Sequence, residues 1–260
     1  MRNLITKIEA VPRGKKLIVF DLDGTLAESK QAVDREMAGL LDKLLKVKPV
    51  AVIGGGSFKL FEHQLVEPLD LPAELLQNLF LFPTTGQAFY HFKKGQWQKV
   101  YEHPLSDNKK LEIFNAFLRA FTEIGYIHPE NLYGEEIEDR GGQVTFSALG
   151  QSAPLEEKKI WLAQHADVRR ELAEHVREHL PEMEVKETGL TSIDVTIKGA
   201  DKNLGLQDIS KYLEVPVGDI LFVGDDFGPE GNDTPALGAG VDCVQVSGPA
   251  DTKKLIERLI

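Results

Sequence analysis

Two carboxylates two residues apart, Asp21 and Asp23, stand where the β-forming run Leu17-Ile18-Val19-Phe20 breaks into Leu22-Asp23-Gly24-Thr25. Released from the end of a buried strand, such a pair makes a compact site for a divalent cation and a phosphoryl group. One carboxylate can attack phosphorus to form a mixed anhydride while its neighbour handles the leaving-group proton. Asp and Gly are also ordinary turn residues, so the same letters can spell a capped strand end and nothing more. Three further loops tip the balance by their context. Val52-Ile53-Gly54-Gly55-Gly56-Ser57 follows a second strand-like run. Its glycines let backbone N–H groups approach phosphate oxygens and the Ser57 hydroxyl can add a donor, although a glycine run is also a common tight connection. Lys202, in Lys198-Gly199-Ala200-Asp201-Lys202-Asn203, opens a helical stretch, where the positive end of the helix dipole disfavours a cation. That misplacement points to a partner such as a phosphoryl group or the nucleophile carboxylate; Lys198 is the second candidate, and a solvated side chain is the plain reading. Gly224-Asp225-Asp226-Phe227-Gly228-Pro229-Glu230-Gly231-Asn232-Asp233 sets Asp225 at another strand end and brings back Asn232 and Asp233 after a loop. Hard oxygen ligands with no nearby histidine suit Mg²⁺.

The elements that must position these loops are legible in the hydrophobic pattern. Leu17–Phe20, Val50–Ile53, Leu79–Phe82, Ile220–Val223 and Cys243–Val246 read as strands buried on both faces. Met37, Leu40, Leu41, Leu44 and Leu45 recur at helical spacing between the first two, and Asp233-Thr234-Pro235 reads as an N-cap and a helix start. Alternating strands and helices predict an α/β fold with a doubly wound parallel-sheet, Rossmann-like core, whose ligands bind beyond the C-terminal strand ends. That is where Asp21–Thr25, Gly54–Ser57, Pro83–Gly86 and Gly224–Asp233 fall. Residues 87–189 read instead as an inserted α+β unit between core segments 1–86 and 190–260. It has a hairpin turning at Lys94-Gly95, a helix with Leu111, Phe114, Phe117, Leu118 and Phe121 on one face, and a strand Gln143–Ser147. A long polar helix from Glu156 to Leu180 follows, then the strands Glu184–Lys186 and Ile193–Ile197. There is no internal repeat and no low-complexity segment.

Composition narrows the function classes. The 260 residues are 42% hydrophobic and 27% charged, with a formal net charge of −11. Such a balance argues against nucleic acid, whose binding rests on Lys and Arg neutralising phosphates. It also sets a problem for a phosphate-ester substrate, which the overall field repels, so cations have to be placed locally. No apolar stretch approaches the roughly 20 residues of a membrane span, Met1–Lys7 lacks an apolar signal core, and the single Cys243 excludes an internal disulfide. The expectation is a cytoplasmic protein without membrane association, with Cys243 packed in a strand.

Taken together, the four loops resemble the haloacid dehalogenase superfamily of phosphotransferases, in that family's order and across nearly the whole chain. The insert is similar to the C2-type, subclass-B cap. Within that group, the loop Pro229-Glu230-Gly231-Asn232-Asp233 and the cap stretch from Arg140-Gly141-Gly142-Gln143 through Ala148-Leu149-Gly150-Gln151 to Glu156-Glu157-Lys158 look most like eukaryotic-type phosphomannomutases and their bacterial relatives. The resemblance implies Asp21 as nucleophile, Asp23 as acid/base and Lys202 as the motif lysine. It implies Leu22, Gly24, Thr25, Gly55, Gly56 and Ser57 as phosphate contacts. Asp21, Asp23 (through its carbonyl), Asp225, Asn232 and Asp233 form the implied Mg²⁺ set. Arg140, Gln151 and Lys158 would face the sugar's distal phosphate. In the mutase pattern the positions of Gln151 and Lys158 are arginines; here one is neutral and the other a point charge without a bidentate fork. The second motif reads Gly-Gly-Gly-Ser-Phe where the mutases resemble Gly-Gly-Ser-Asp. A weakened grip on the distal phosphate favours hydrolysis of small phosphorylated sugars over a mutase reaction, with a catalytically silent sugar-phosphate sensor as the reading from another class. A monomer or a cap-mediated homodimer is expected. Elsewhere, His175 and His179 read as a solvated helix surface rather than a zinc face. Glu135, Glu136, Glu138 and Asp139 read as a solvated acidic loop, and Trp97 and Trp161 as packing or cap surface.

Overall fold

The short apolar runs become strands of one eight-stranded sheet, and the polar-alternating runs of the insert build a second. A computed structural model describes residues 4–29, 31–229 and 231–260; Met1–Asn3 of the N-terminal reading and Glu230 of the lengthened loop lie outside the described residues. The strands are β1 (Leu4–Ile5), β2 (Leu17–Asp21), β3 (Val50–Ile53), β4 (Leu79–Phe82), β5 (Ala88–Lys93), β6 (Gln96–Glu102), β7 (Ile137–Asp139), β8 (Gln143–Ser147), β9 (Met183–Thr188), β10 (Ser192–Ile197), β11 (Ile220–Gly224) and β12 (Asp242–Gln245). The helices are α1 (Arg35–Leu45), α2 (Phe58–Phe61), α3 (Glu67–Leu69), α4 (Ala73–Leu76), α5 (Asp107–Ile124), α6 (Leu155–His179), α7 (Lys202–Tyr212) and α8 (Pro249–Leu259).

The chain divides into two units, one running to Glu102 and resuming over Asp201–Ile260, the other His103–Ala200. In the larger unit the sheet order is β1-β12-β11-β2-β3-β4-β5-β6, parallel from β1 to β4 and antiparallel beyond. Side chains of β2 alternate between two apolar layers: Ile18 and Phe20 join α1 and α8, whereas Leu17 and Val19 join α7. Burial on both faces is why these strands read as unbroken hydrophobic runs. Asp34 caps α1 by accepting from the Met37 N–H at 2.8 Å, and the helix buries Met37, Leu40, Leu41, Leu44 and Leu45. The smaller unit orders its strands β7-β8-β10-β9, all antiparallel. Phe117 and Phe121 of α5, Leu172 and Val176 of α6, Phe146, Ile193 and Val195 share its core.

Three expectations are corrected. The Lys94-Gly95 turn forms as read, with φ of 54° and 79° matching a two-residue hairpin, but β5 and β6 extend the larger sheet. Phe80 and Leu81 pair with His91 and Tyr90, and Phe89 stacks on Phe82 at 4.4 Å. At the other boundary β10 bonds β8 and β9 on its two sides, so the insert begins at His103 instead of residue 87 and ends at Ala200 instead of 189. On α5 the buried face is Ile113, Ala116, Phe117, Ala120 and Phe121; Leu111 and Leu118 lie exposed. Among the described residues, no helix is long and apolar enough to cross a membrane.

Candidate active site

Register across the parallel strands does the first positioning. Asp21 ends β2 opposite Ile53 of β3, while Val223 of β11 pairs with Phe20 and so brings Asp225 beside the same end. The chain then turns tightly. Gly24 donates from its N–H to the Ala27 carbonyl at 2.7 Å, and Leu26 and Ala27 both donate to the Leu22 carbonyl at 3.0 Å. Gly24 sits at φ +81°, and a Cβ there would stand 2.5 Å from Asp225 Oδ2, so only glycine lets the two loops meet. Thr25, fully buried, donates its hydroxyl to Asp225 Oδ1 at 3.0 Å.

Lys202 enters from the start of α7. Asp201 caps that helix by accepting from the Asn203 and Leu204 N–H groups, which frees the Lys202 side chain to turn inward. Its ammonium has three donors and three acceptors: Asp21 Oδ1 at 2.7 Å, Asp233 Oδ1 at 2.5 Å and Asn232 Oδ1 at 2.8 Å. Asp233 stands at the N-cap position of the short turn Thr234–Gly238, as its Thr-Pro sequel suggested, but its side chain makes no capping bond there. It accepts instead from Lys202 and from the Asp226 N–H at 2.9 Å. The placement of Lys202, unfavourable for the dipole alone, is thus repaid by the acid cluster it serves.

One carboxylate oxygen from each of Asp21, Asp225 and Asp233 lies within 4.8 Å of the others. Three carboxylates against one ammonium leave the cluster over-negative. Burial, and then Asp233 and Asp225, push the Asp21 carboxyl well above the ordinary range despite the opposing Lys202. Burial and Asp233 push Asp225 up to about 6. Burial works against the Lys202 charge, but Asp21 and Asp233 together outweigh it and raise its pKa. An all-oxygen, over-negative donor set fits a hard divalent cation such as Mg²⁺.

The remaining expected residues fall as follows. The Asn232 oxygen is taken by Lys202, and the Asp23 carboxylate accepts from Gln64 Nε2 at 3.0 Å, so neither side chain joins the acid triad. Leu22 sits in the apolar core and the Thr25 hydroxyl is committed to Asp225, which leaves those positions only their backbone for a phosphate. The Gly54–Ser57 loop is pinned by Thr85 and Thr84 N–H groups donating to the Gly54 and Gly56 carbonyls at 2.8 and 2.9 Å, and the Ser57 hydroxyl makes no capping bond to α2. Lys198, the second lysine candidate, belongs to the smaller unit and donates to the Pro181 carbonyl at 2.6 Å. In that unit Lys158 is buried and donates to the Gln151 carbonyl at 3.1 Å, while Arg140 Nε pairs with Glu138 at 2.7 Å. His175 and His179 both meet Glu123 of α5, at 3.2 and 2.9 Å. The acidic loop is less solvated than expected: Asp139 pairs with Lys110, and Glu136 with His128. Trp97 packs beside Phe58 and Phe92, and Trp161 is buried on α6.

Two features escaped the sequence reading. One is Gln64. The other is the polar face of the smaller sheet, where Gln143, Thr145 and Ser147 pair with Thr196, Asp194 and Ser192. Gln143 donates to Thr145 and Thr145 to Asp194, at 2.8 and 2.7 Å. Its signal was present as strict polar–apolar alternation in Gln143–Ser147 and Ser192–Thr196.

A family model described as eukaryotic phosphomannomutase matches residues 37–260. The chain belongs to that family. A probable phosphomannomutase of Caenorhabditis elegans is 30% identical over 254 residues, covering 95% of this chain and 96% of the relative. Among solved structures, an IMP-nucleotidase of Plasmodium falciparum superposes with a TM-score of 0.69 at 17% identity, over 97% of this chain and 70% of that one. A haloacid dehalogenase-like hydrolase of Bacteroides thetaiotaomicron superposes at 0.60 and 14% identity, over 95% and 100%. At such identities the structures speak for the fold alone. This phosphomannomutase-family member accordingly has a haloacid dehalogenase-like fold.

Proposed function

We propose that the protein is a Mg²⁺-dependent phosphatase of small phosphorylated sugars that works through an aspartyl-phosphate on Asp21. The observation that carries the phosphoryl-transfer reading is the Asp21–Lys202 contact of 2.7 Å inside the triad with Asp225 and Asp233. Asp21 attacks phosphorus, and Asp23 gives its proton to the departing sugar oxygen. Asp23 then takes a proton from the water that releases inorganic phosphate and regenerates Asp21. Lys202 holds Asp21 Oδ1 in place and offsets the charge that gathers on the transferring group. A cation held by Asp21, Asp225 and Asp233 would supply the remaining charge neutralisation. Arg140, Gln151 and Lys158, with Asp194 and Thr145 of the polar sheet face, are the cap residues we assign to sugar-phosphate selection.

Hydrolysis is preferred because both mutase arginine positions are weakened: Lys158 is a point charge that also donates to a backbone carbonyl, and Gln151 is neutral. Losing a charge-assisted contact forfeits about 1.5–3 kcal/mol of grip on a distal phosphate. Family membership favours the second reading, a phosphomannomutase that resolves the same intermediate with a sugar hydroxyl. Incubation with mannose 1-phosphate and Mg²⁺ separates them. Release of inorganic phosphate supports hydrolysis, and accumulation of the 6-phosphate under a bisphosphate activator supports the mutase. Asp21→Asn is expected to abolish either activity with folding intact; turnover near wild type would remove Asp21 from the mechanism.

A further inference from the structure

We propose that Gln64 is a positioning residue for the Asp23 acid/base, fixing the orientation of that carboxylate through its Oδ1. The inference rests on the role of Asp23 proposed above and extends it to a side chain in no recognised motif. Gln64 lies in the middle of a π-helical turn, Glu62–Val66, between α2 and α3, and is completely buried. The turn has a local cause. Pro68 has no N–H to give the Gln64 carbonyl four residues back, and its ring crowds that carbonyl. The Val33 N–H donates to the Gln64 carbonyl instead, at 2.8 Å. Widened turns of this kind frequently mark functional sites.

The Gln64 side chain then reaches two acceptors with one nitrogen: Asp23 Oδ1 at 3.0 Å and the Gln31 carbonyl at 2.9 Å. Both amide hydrogens are used, and a flipped amide would set its oxygen against two acceptors, so the orientation is fixed. Gln64 Oε1, by contrast, is buried with no hydrogen-bond partner. A residue kept only for packing here would be Leu or Met, which fill the space without stranding a polar atom. What the glutamine alone provides is the pair of N–H bonds tying Asp23 and segment 31–33 to one helix turn. Anchoring Oδ1 to a buried group that can only donate restricts the rotation of the Asp23 carboxylate, and with it the direction in which that carboxylate exchanges a proton.

The test compares wild type with Gln64→Met on a series of substituted phenyl phosphates plus mannose 1-phosphate. Esters with good leaving groups need no proton from Asp23 when phosphate passes to Asp21, whereas sugar and electron-rich phenyl esters do. The expected result is a loss in kcat/KM of roughly 10-fold or more for the poor leaving groups, with KM within about twofold and little change for p-nitrophenyl phosphate. The dependence on leaving group therefore steepens. A parallel loss across the series, or no loss, overturns the proposal. Should Gln64→Met fail to fold, Gln64→Glu serves the same test, since it keeps the shape but turns a donor into an acceptor against Asp23. Asp21→Asn run alongside separates the two readings. If it retains turnover the aspartyl-phosphate reading fails, and if it is inactive while Gln64 variants fall equally on all esters, only the positioning role fails.

Discussion

Lys202 and Asp233 are the least exposed members of the charged cluster, and their energetics follow from that burial. Removing the ammonium strands Asp21 and Asp233 without compensation. We expect Lys202→Met to destabilise the protein by about 3–5 kcal/mol, as for other broken buried pairs, and Lys202→Met/Asp233→Asn to recover part of it. Denaturant midpoints of the two single variants and the double variant would show that non-additivity. Asp225 carries a second prediction. Its folded pKa near 6 lies above the ordinary 3.8, so between those values the folded state binds more protons than the unfolded one. Ion-free stability from this group therefore falls as pH rises through the window. A cation must displace those protons, so the increase in Tm on adding Mg²⁺ should be large at pH 7.5 and small at pH 5. Asp225→Asn should flatten the difference; an equal increase at both pH values would argue against a shared carboxylate site. Asp21, Asp225 and Lys202 were readable because each sits at a strand end or helix start where its type is out of place. Asp233 was readable as an oxygen ligand and as the start of a short helical turn, but not as the partner of Lys202, a contact that spans 31 residues of sequence. Gln64 was unreadable: a glutamine inside a helical run has no local oddity, and its partner lies 41 residues away.

Among the elements, the turn after β4, legible in the sequence as one of the loops at the C-terminal strand ends, stores strain that the sequence does not reveal. Thr84 and Thr85 both adopt positive φ, 51° and 56°, a region that costs an L-residue about 1–2 kcal/mol and is worse for a β-branched one. Their N–H groups hold the Gly54–Ser57 loop, which is what maintains the conformation. Thr85→Gly or Thr85→Asn should therefore stabilise by about 1 kcal/mol, read as a higher urea midpoint at unchanged m-value; a loss of stability would place the Thr85 side chain, not its backbone, in control of the turn. The strands themselves were legible because burial on both faces leaves continuous apolar runs. The hairpin at Lys94-Gly95 was legible as a hairpin but not as part of the larger sheet, since pairing of β5 with β4 is set by Phe89 against Phe82, across the turn Thr84–Gly86. The α5 face was misassigned because Leu111 and Leu118 are apolar by type while Ala116 and Ala120, small and easily overlooked, are the ones buried.

At the scale of the molecule, the two units have separate apolar cores: one cluster lies wholly within residues 105–195, and the other two lie outside that span. The proposed cation and phosphate ligands Asp21, Asp225, Asp233 and Lys202 all belong to the larger unit. The two tryptophans divide the same way, Trp97 on β6 in the larger unit and Trp161 on α6 in the smaller. A ligand that binds only one folded unit stabilises that unit by RT ln(1 + [L]/Kd), about 2.7 kcal/mol at a hundredfold excess over Kd. Single-tryptophan variants turn this into a measurement. In Trp161→Phe, fluorescence reports Trp97, and Mg²⁺ with phosphate should move the unfolding midpoint upward. In Trp97→Phe, fluorescence reports Trp161, and the midpoint should stay where it was. A common shift of both probes would mean that the two cores unfold as one cooperative body, so that ligand energy taken up at the strand ends of the larger sheet also supports the cap.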